Sequence, residues 1–335
     1  MKVVEIRDGF GVDSLKVAER PDPVPGPGQV VLKMKAFSIN YRDLLVVNRV
    51  GRWNPPVGRI PLSDGIGMVV AAGNGVSRIK IGDRVAPIFY PKWLEGGPGE
   101  DKMGQALGGA AADGVLAEYT LLNESSVVHV PAHLTDEEAA TLPCAGVTAW
   151  SALIPFGNLS PGDSVVALGT GGVSIFALQF ARLRGARVIV TSSSDQKLAR
   201  VKELGATTVI NYKMTPDWPK AVMESTAGVG ADYVVDTVGG LKEAIAAVRL
   251  GGTVMFVGLL AGVTSEIDLV RFMGKSARVQ AIDVGSREMF EAMNKAIEFH
   301  AVHPVVDRVF GFSELRDALD YLREARHFGK VCLRA

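Results

Sequence analysis

One short glycine-rich turn limits most strongly what this chain can fold into. Residues 169–174 read Gly-Thr-Gly-Gly-Val-Ser and follow the apolar run 164–168. A helix-like run, 175–181, comes next, and a second strand-like run covers 187–191. Strand, turn, helix and strand predict a βαβ unit that presents a helix N-terminus to a pyrophosphate, because glycines let the backbone approach the phosphates. The predicted contacts with this dinucleotide are Gly169, Thr170, Gly171, Gly172 and Val173.

The turn departs from the usual fingerprint at one position. Ser174 stands where a third glycine normally allows close packing of the helix on the strand. A serine side chain is small enough for fairly close packing, so the prediction of a dinucleotide site stands.

The whole chain has an ordinary globular balance. Its 335 residues are 47% hydrophobic and 21% charged, which is enough for two domains. Lys plus Arg and Asp plus Glu number 36 each, so no net charge draws a nucleic acid or an anionic membrane. No run is long enough to span a bilayer. Cys144 and Cys332 are the two cysteines, which excludes a disulfide framework and favours a reducing cytoplasm.

The hydrophobic pattern divides the chain into a β-rich part and an α/β part. Residues 1 to about 125 form mostly short strand-like runs bounded by Gly, Asp or Pro. Four further strand-like runs follow the βαβ unit, at 208–212, 233–238, 253–258 and 278–283. Helical segments separate most of them, so we predict a doubly wound parallel sheet. The last apolar run, 329–333, is expected to complete the N-terminal β domain.

A helix is predicted just before the α/β part. Thr135 followed by Glu138 is a capping-box pattern, which marks a helix N-terminus. Pro143 lies within the same helical run, which continues to about Leu153, so a kink or break is expected near the proline.

Several motifs together resemble one family. They lie at 76–85, 114–119, 139–150 and 327–331, in the order in which that family carries them. The chain resembles the medium-chain dehydrogenase/reductase superfamily, and within it the zinc-independent branch near the quinone oxidoreductases. The resemblance implies an α/β protein with a GroES-like β-rich catalytic domain and a Rossmann domain. The implied boundaries are 1–126 completed by 285–335 for the catalytic domain, and 127–284 for the Rossmann domain.

The positions of the family's zinc ligands are mostly lost. The resemblance places Asn40 at the first ligand position, Ser63-Asp64 at the His-Glu pair, and Cys144 at the last. The loop 92–114, where a structural zinc lobe would lie, contains no cysteine. Zinc needs three protein ligands and a water for catalysis, or four ligands for structure. We therefore predict no metal and interpret Cys144 as a small buried hydrophobe.

The end of the second Rossmann strand favours NADP over NAD. NAD enzymes place an acid there for the ribose 2′-hydroxyl, whereas this chain has Ser192 and Ser193, with Lys197 shortly after. Hydroxyls and an ammonium bind a 2′-phosphate through charge-assisted hydrogen bonds. The resemblance adds Tyr212 as a contact of the same phosphate. The alternative is that the serines only cap a helix and Lys197 is solvated.

Four residues are candidates for catalysis. Asn40, Tyr41 and Asp43 stand where zinc-containing relatives place ligand and proton-relay groups. Asn40 is expected to hydrogen-bond near the nicotinamide ribose, and Tyr41 to donate a proton or polarise a carbonyl. Asp43 is either catalytic or the partner of Arg42 in an ion pair. Asp64 is either catalytic or a satisfied buried acid.

The resemblance implies further contacts and a partner. Its remaining cofactor contacts are Thr148, Thr237, Val238, Gly258, Leu259, Phe328 and Lys330. The edge strand 278–283 is expected to pair two copies of the chain as a homodimer, because an unpaired edge would otherwise be exposed.

Without a metal, the simplest chemistry is hydride delivery to an electrophile that needs little activation. We predict an NADPH-dependent reductase of a quinone or an activated C=C bond, such as an enone or enal, with an apolar planar substrate. The alternatives are an alcohol or aldehyde dehydrogenase without zinc, an NADPH-binding redox sensor, and a crystallin-like structural protein.

Overall fold

The computed structural model describes residues 1–7, 9 and 11–335 and divides the chain into two compact units. One unit comprises residues 1–147 and 285–335, and the other comprises residues 148–284. The sequence predicted the first boundary after residue 126, and the structure differs there. Residues 127–147 belong to the first unit because the strand at 127–129 pairs in its main sheet and the helix at 136–140 packs on it.

The elements are numbered in chain order. The strands are β1 (Lys2–Ile6), β2 (Leu15–Glu19), β3 (Gln29–Ile39), β4 (Asp64–Ala72), β5 (Arg84–Pro87), β6 (Tyr119–Asn123), β7 (Val127–His129), β8 (Ser164–Leu168), β9 (Arg187–Ser192), β10 (Thr208–Asn211), β11 (Ala231–Asp236), β12 (Val248–Phe256), β13 (Arg278–Ala281), β14 (Val306–Gly311) and β15 (Lys330–Arg334). The α-helices are α1 (Tyr41–Val47), α2 (Glu100–Met103), α3 (Asp136–Ala140), α4 (Val147–Leu153), α5 (Gly172–Leu183), α6 (Asp195–Glu203), α7 (Trp218–Ser225), α8 (Leu241–Ala247), α9 (Leu269–Gly274), α10 (Arg287–Phe299) and α11 (Leu315–Arg323).

The first unit is built on a mostly antiparallel sheet. Its strand order is β14-β15-β3-β4-β5-β7, and β6 also pairs with the long strand β3. The last strand of the chain, β15, lies antiparallel to β3, with Val331 opposite Ile39. The predicted return of residues 329–333 to this sheet is therefore confirmed. Apolar side chains of β3, β15 and their neighbours form the core of the unit.

The second unit contains a six-stranded parallel sheet in the order β10-β9-β8-β11-β12-β13. The chain therefore starts in the middle of the sheet, builds one half, and crosses back to build the other half. This is the doubly wound order, which confirms the predicted Rossmann architecture. Every residue of β8 is buried, as expected for a central parallel strand whose two faces are both covered.

The predicted helix break near Pro143 is present. Thr135 caps α3 through a reciprocal pair of bonds: its Oγ accepts from the Glu138 backbone N–H at 3.2 Å, and its own N–H donates to the Glu138 carboxylate at 2.9 Å. The chain then passes through a π-helical turn, Leu142–Gly146, before α4. Pro143 has no N–H to donate, which disrupts the α-helical ladder. This turn carries Cys144.

None of the described helices has the length and apolar composition that a membrane crossing needs.

Candidate functional site

Three strand ends meet in the first unit and bring polar residues together. Asn40 follows the last residue of β3, Asp64 opens β4, and Lys330 opens β15. Both β4 and β15 run antiparallel to β3, so their first residues lie beside its last ones. Asp64 pairs with Ser38, and continuing the register from Val331 opposite Ile39 sets Lys330 beside Asn40. The strand pairing alone thus assembles Asn40, Asp64 and Lys330 into one cluster.

Lys330 is the cation of this cluster. It is only 3% exposed, and its ammonium donates to the Ile39 carbonyl at 2.8 Å and to the side-chain oxygen of Asn40. The resemblance implied a cofactor contact for Lys330, and that contact stays a prediction; in the structure both partners of the ammonium lie inside the unit. A lysine at the start of an otherwise apolar closing strand was the signal that could have indicated burial.

Asp64 is a fully buried carboxylate with both oxygens in use. One oxygen accepts from the Ser63 hydroxyl at 2.7 Å, and the other accepts from the Cys144 backbone N–H at 3.2 Å. Burial raises the pKa of Asp64, and the positive charge of Lys330 opposes this rise. The structure therefore favours the satisfied buried acid among the two predicted roles.

Asp43 ties α1 to the cluster. Its carboxylate accepts from the Asn40 backbone N–H at 2.7 Å and lies 3.3 Å from the Arg42 guanidinium. Burial raises the pKa of Asp43 from 3.8 to about 6, although Arg42 lowers it. The ion pair predicted as the alternative to catalysis is thus present. Arg42 is fixed in turn by the Leu107 carbonyl at 2.8 Å and by the face of the Phe89 ring.

Tyr41 differs from the rest of its neighbourhood in being accessible. It begins α1 and is 38% exposed, whereas Asn40 just before it and Asp43 two residues after it are buried. Its phenol can therefore meet a ligand or solvent, as a proton donor must.

The cluster does not fit a zinc ion. Asn40 already accepts from an ammonium, and both oxygens of Asp64 are hydrogen-bonded within the protein. Of the residues at the ligand positions only Cys144 carries a thiol, and a catalytic zinc needs three protein ligands. Across residues 1–7, 9 and 11–335, no group of three or more His, Cys, Asp or Glu side chains is arranged to hold a metal.

In the second unit, the glycine turn fits a dinucleotide. Gly169 has a φ of 79°, which strains any residue with a side chain. Gly171 is the N-cap of the twelve-residue helix α5 and has no side chain to cap it, so the first-turn N–H groups face outward. Thr170, Gly172 and Val173 complete the turn. Such a helix N-terminus binds a pyrophosphate, and these residues would hold it.

Hydrogen bonds at the end of β8 explain the serine in place of the third glycine. The Ser174 hydroxyl donates to the Leu168 carbonyl at 2.7 Å, and so does the hydroxyl of Thr237 at the same distance. Thr237 and Val238 follow β11, the neighbour of β8, at the point where the strand order reverses. A Cβ on Gly258 would lie 1.7 Å from the Thr237 carbonyl oxygen, so only glycine fits there.

The predicted phosphate-binding residues lie at one edge of the same sheet. Ser192 ends β9, its backbone pairs with Asn211 at the end of β10, and Tyr212 follows with 41% exposure. Ser193 and Lys197 are both partly exposed. The nearest acid, Asp195, accepts from the Asn211 amide at 2.7 Å.

Three other predicted contacts have less direct support. Leu259 is partly buried after Gly258, Thr148 is buried in α4, and Phe328 is 2% exposed just before β15. Their contacts with a cofactor stay predictions.

Two family models match this chain. One is described as the alcohol dehydrogenase GroES-like domain and matches residues 26–132. The other is described as zinc-binding dehydrogenase and matches residues 172–299.

Known proteins match it over nearly its full length. A zinc-type alcohol dehydrogenase-like protein of Schizosaccharomyces pombe is 42% identical over 97% of this chain and 96% of its own. The solved structure of an NAD-dependent alcohol dehydrogenase is 33% identical, covers 100% of both chains and has a TM-score of 0.90. A mycobacterial structure complexed with NADPH is 26% identical, covers 100% of both chains and has a TM-score of 0.84.

Replacing Asp43 with asparagine should reduce the pH dependence of stability. Because the folded state raises the pKa of Asp43 from 3.8 to about 6, it holds this proton more tightly than the unfolded chain does. The contribution of Asp43 to the free energy of unfolding therefore falls as pH rises from 3.8 to about 6. Asparagine does not titrate, so the free energy of unfolding of Asp43→Asn should not show this decrease. Urea unfolding at several pH values across the interval measures it. The exposed Asp101→Asn is the control, and an equal fall in Asp43→Asn and the unaltered protein would contradict the assignment.

Proposed function

Because this chain belongs to the medium-chain dehydrogenase/reductase superfamily and is an NAD(P)-dependent oxidoreductase, we propose that it reduces a quinone or an activated C=C bond without zinc. The observation that carries this proposal is the ammonium of Lys330, which is bonded to Asn40 among the residues at the zinc-ligand positions. A fixed cation at this place repels a metal dication.

The proposed substrate follows from what these residues can do. Bound NADPH would supply the hydride. In an enone the hydride forms a bond to the β-carbon, the C=C electrons move toward the carbonyl, and the oxygen gains the negative charge of an enolate. A proton from Tyr41 or from solvent then completes the saturated ketone. No Lewis acid is needed, because the carbonyl is already conjugated to the reacting carbon.

A second function is favoured by the relatives. Most of the matching proteins carry alcohol dehydrogenase in their descriptions, which supports oxidation of an alcohol or reduction of an aldehyde. Without zinc, side-chain acid–base chemistry would have to move the proton. The same likeness to dehydrogenases argues against the redox sensor and the structural protein, since those would bind nucleotide without turnover.

Initial rates of NADPH oxidation separate these functions. With a quinone, an enone and an aldehyde as substrates, we expect turnover of the first two and no loss of rate after treatment with a chelator. Turnover confined to the aldehyde would favour the second function, and inactivation by the chelator would contradict the proposal.

We also propose that the protein prefers NADPH to NADH. Ser192, Ser193 and Tyr212 lie together at the ends of two neighbouring strands, where the 2′-phosphate is bound in this fold. Asp195, the first residue of α6, accepts a hydrogen bond from the Asn211 amide, so one of its oxygens is already engaged. Lys197 in the first turn of α6 supplies a positive charge.

Replacing Lys197 with Ala should weaken NADPH binding about tenfold to a hundredfold, because a charge-assisted hydrogen bond to the phosphate is lost. The dissociation constant for NADH should stay the same. Fluorescence titration of both nucleotides measures the effect, and Lys202→Ala in the same helix is the control. Equal affinity of the unaltered protein for NADPH and NADH would overturn the preference.

The exposed edge of the parallel sheet supports a homodimer. All four residues of β13 are exposed, and its outer edge has no partner strand among the described residues. Apolar side chains of β13 and of α9, the helix before it in the chain, are exposed as well, including Val279, Val270 and Met273. We propose that a second copy pairs with β13, which would cover this edge.

We also propose that the protein is located in a reducing cytoplasm. Its two cysteine thiols, Cys144 and Cys332, are free, which supports this location.

A charge on β13 should separate the two copies. Val279→Lys places an ammonium in the proposed interface, so the mass in solution should fall from that of two chains to that of one. Light scattering measures the mass, and Val229→Lys, at another exposed valine, is the control. A single-chain mass for the unaltered protein would refute the dimer.

A further inference from the structure

One polar group in the cluster has no regular partner. The side chain of Asn40 is only 8% exposed, and its oxygen accepts from Lys330. Its amide nitrogen is buried and makes no regular hydrogen bond to the described residues. The amide lowers the pKa of the neighbouring Asp64, so this carboxylate lies beside one of its two N–H groups. A buried N–H without an acceptor is unfavourable, and a ligand oxygen would satisfy the N–H group that Asp64 does not face.

Building on the function proposed above, we propose that the Asn40 amide donates to the substrate oxygen that gains negative charge, and that Lys330 polarises and orients it. The ligand class is a carbonyl oxygen that becomes an enolate, or a quinone oxygen that becomes a phenolate. Asn40 is then the catalytic residue, and Lys330 is a positioning residue that acts through it.

The chemistry of the pair supports this division of roles. The oxygen and nitrogen of a side-chain amide share one delocalised system, so a cation at the oxygen makes the N–H a stronger donor. The same bond fixes which end of the amide faces Lys330, and so leaves the N–H end for a ligand. A donor held ready for a developing oxyanion stabilises the transition state more than the ground state.

The supports of the pair are rigid. Asn40 is the N-cap residue of α1 and directly follows β3, and its backbone N–H donates to the Asp43 carboxylate. Lys330 opens β15, and its second bond to the Ile39 carbonyl fixes the ammonium on the paired strand. A donor held between a strand and a helix is positioned more accurately than one on a loop.

Asn40→Asp tests the donor with almost no change of shape. An aspartate keeps an oxygen for Lys330 but replaces the N–H with a second acceptor that repels an oxyanion. We expect kcat for the enone to fall about 100-fold or more, as for loss of an oxyanion-hole donor. The dissociation constant of NADPH should stay unchanged. Asn48→Asp makes the same chemical change at the exposed end of α1 and should leave kcat unchanged.

The role of Lys330 is tested by a double-mutant cycle. Lys330→Met should lower kcat about tenfold in the presence of Asn40, because the amide loses its polarising charge. In an Asn40→Ala background the same substitution should add no further loss, since the residue through which it acts is absent. Additive losses would contradict action through Asn40.

A spectroscopic measurement gives a readout without turnover. With NADP⁺ bound, 4-nitrophenol reports its own ionisation by its visible absorbance. The unaltered protein should bind the phenolate and lower the pKa of the bound phenol, and Asn40→Asp should abolish this shift. Equal shifts in both proteins, or no phenolate binding by the unaltered protein, would overturn the proposal.

The kinetic outcomes separate this inference from the proposed function. If the unaltered protein reduces only aldehydes, the proposed function fails, but the aldehyde oxygen also becomes negative and Asn40→Asp should still lower kcat. A rate for Asn40→Asp close to that of the unaltered protein would overturn the inference. A weaker NADPH affinity at unchanged kcat would also overturn it, since Asn40 would then serve a hydroxyl or carboxamide of the cofactor.

Discussion

The bond from the Lys330 ammonium to the Asn40 amide is the interaction on which the candidate site depends. It joins the last strand of the chain to the end of β3 and places a positive charge beside the buried Asp64. Removing that charge would leave a buried carboxylate uncompensated, which is costly in a protein interior. The same bond determines which end of the Asn40 amide is available to a ligand. The charge of Lys330 therefore has two effects at this site. It compensates the buried carboxylate of Asp64, and in the proposed mechanism it orients the Asn40 amide.

The sequence predicted the parts of the structure that depend on local pattern. The turn around Gly169, the cap at Thr135 and the break at Pro143 each follow from residues close together in the chain. The contact between Lys330 and Asn40 joins residues 290 positions apart and depends on the register of β15 on β3. No local pattern specifies that register. The sequence therefore predicted that both residues lie near a site, but it could not predict the hydrogen bond between the Lys330 ammonium and the Asn40 amide.

The position of the domain boundary was missed for a similar reason. The segment 127–147 precedes the Rossmann strands and contains a capped helix, so pattern alone groups it with the α/β part. In the structure β7 pairs with β5, and the Cys144 N–H donates to Asp64 in the first unit. These are long-range contacts, and they decide to which unit the segment belongs.

Because relatives are described as zinc-type or zinc-binding dehydrogenases, the zinc content of this protein is the most direct test of the proposed zinc-independent function. We propose that the Lys330 ammonium, bonded to Asn40, takes the place of the ion. Zinc content should be measured by inductively coupled plasma mass spectrometry on protein purified with added zinc and then freed of loosely bound metal. We predict far less than stoichiometric zinc, with full activity. Stoichiometric zinc whose removal abolishes activity would contradict the account.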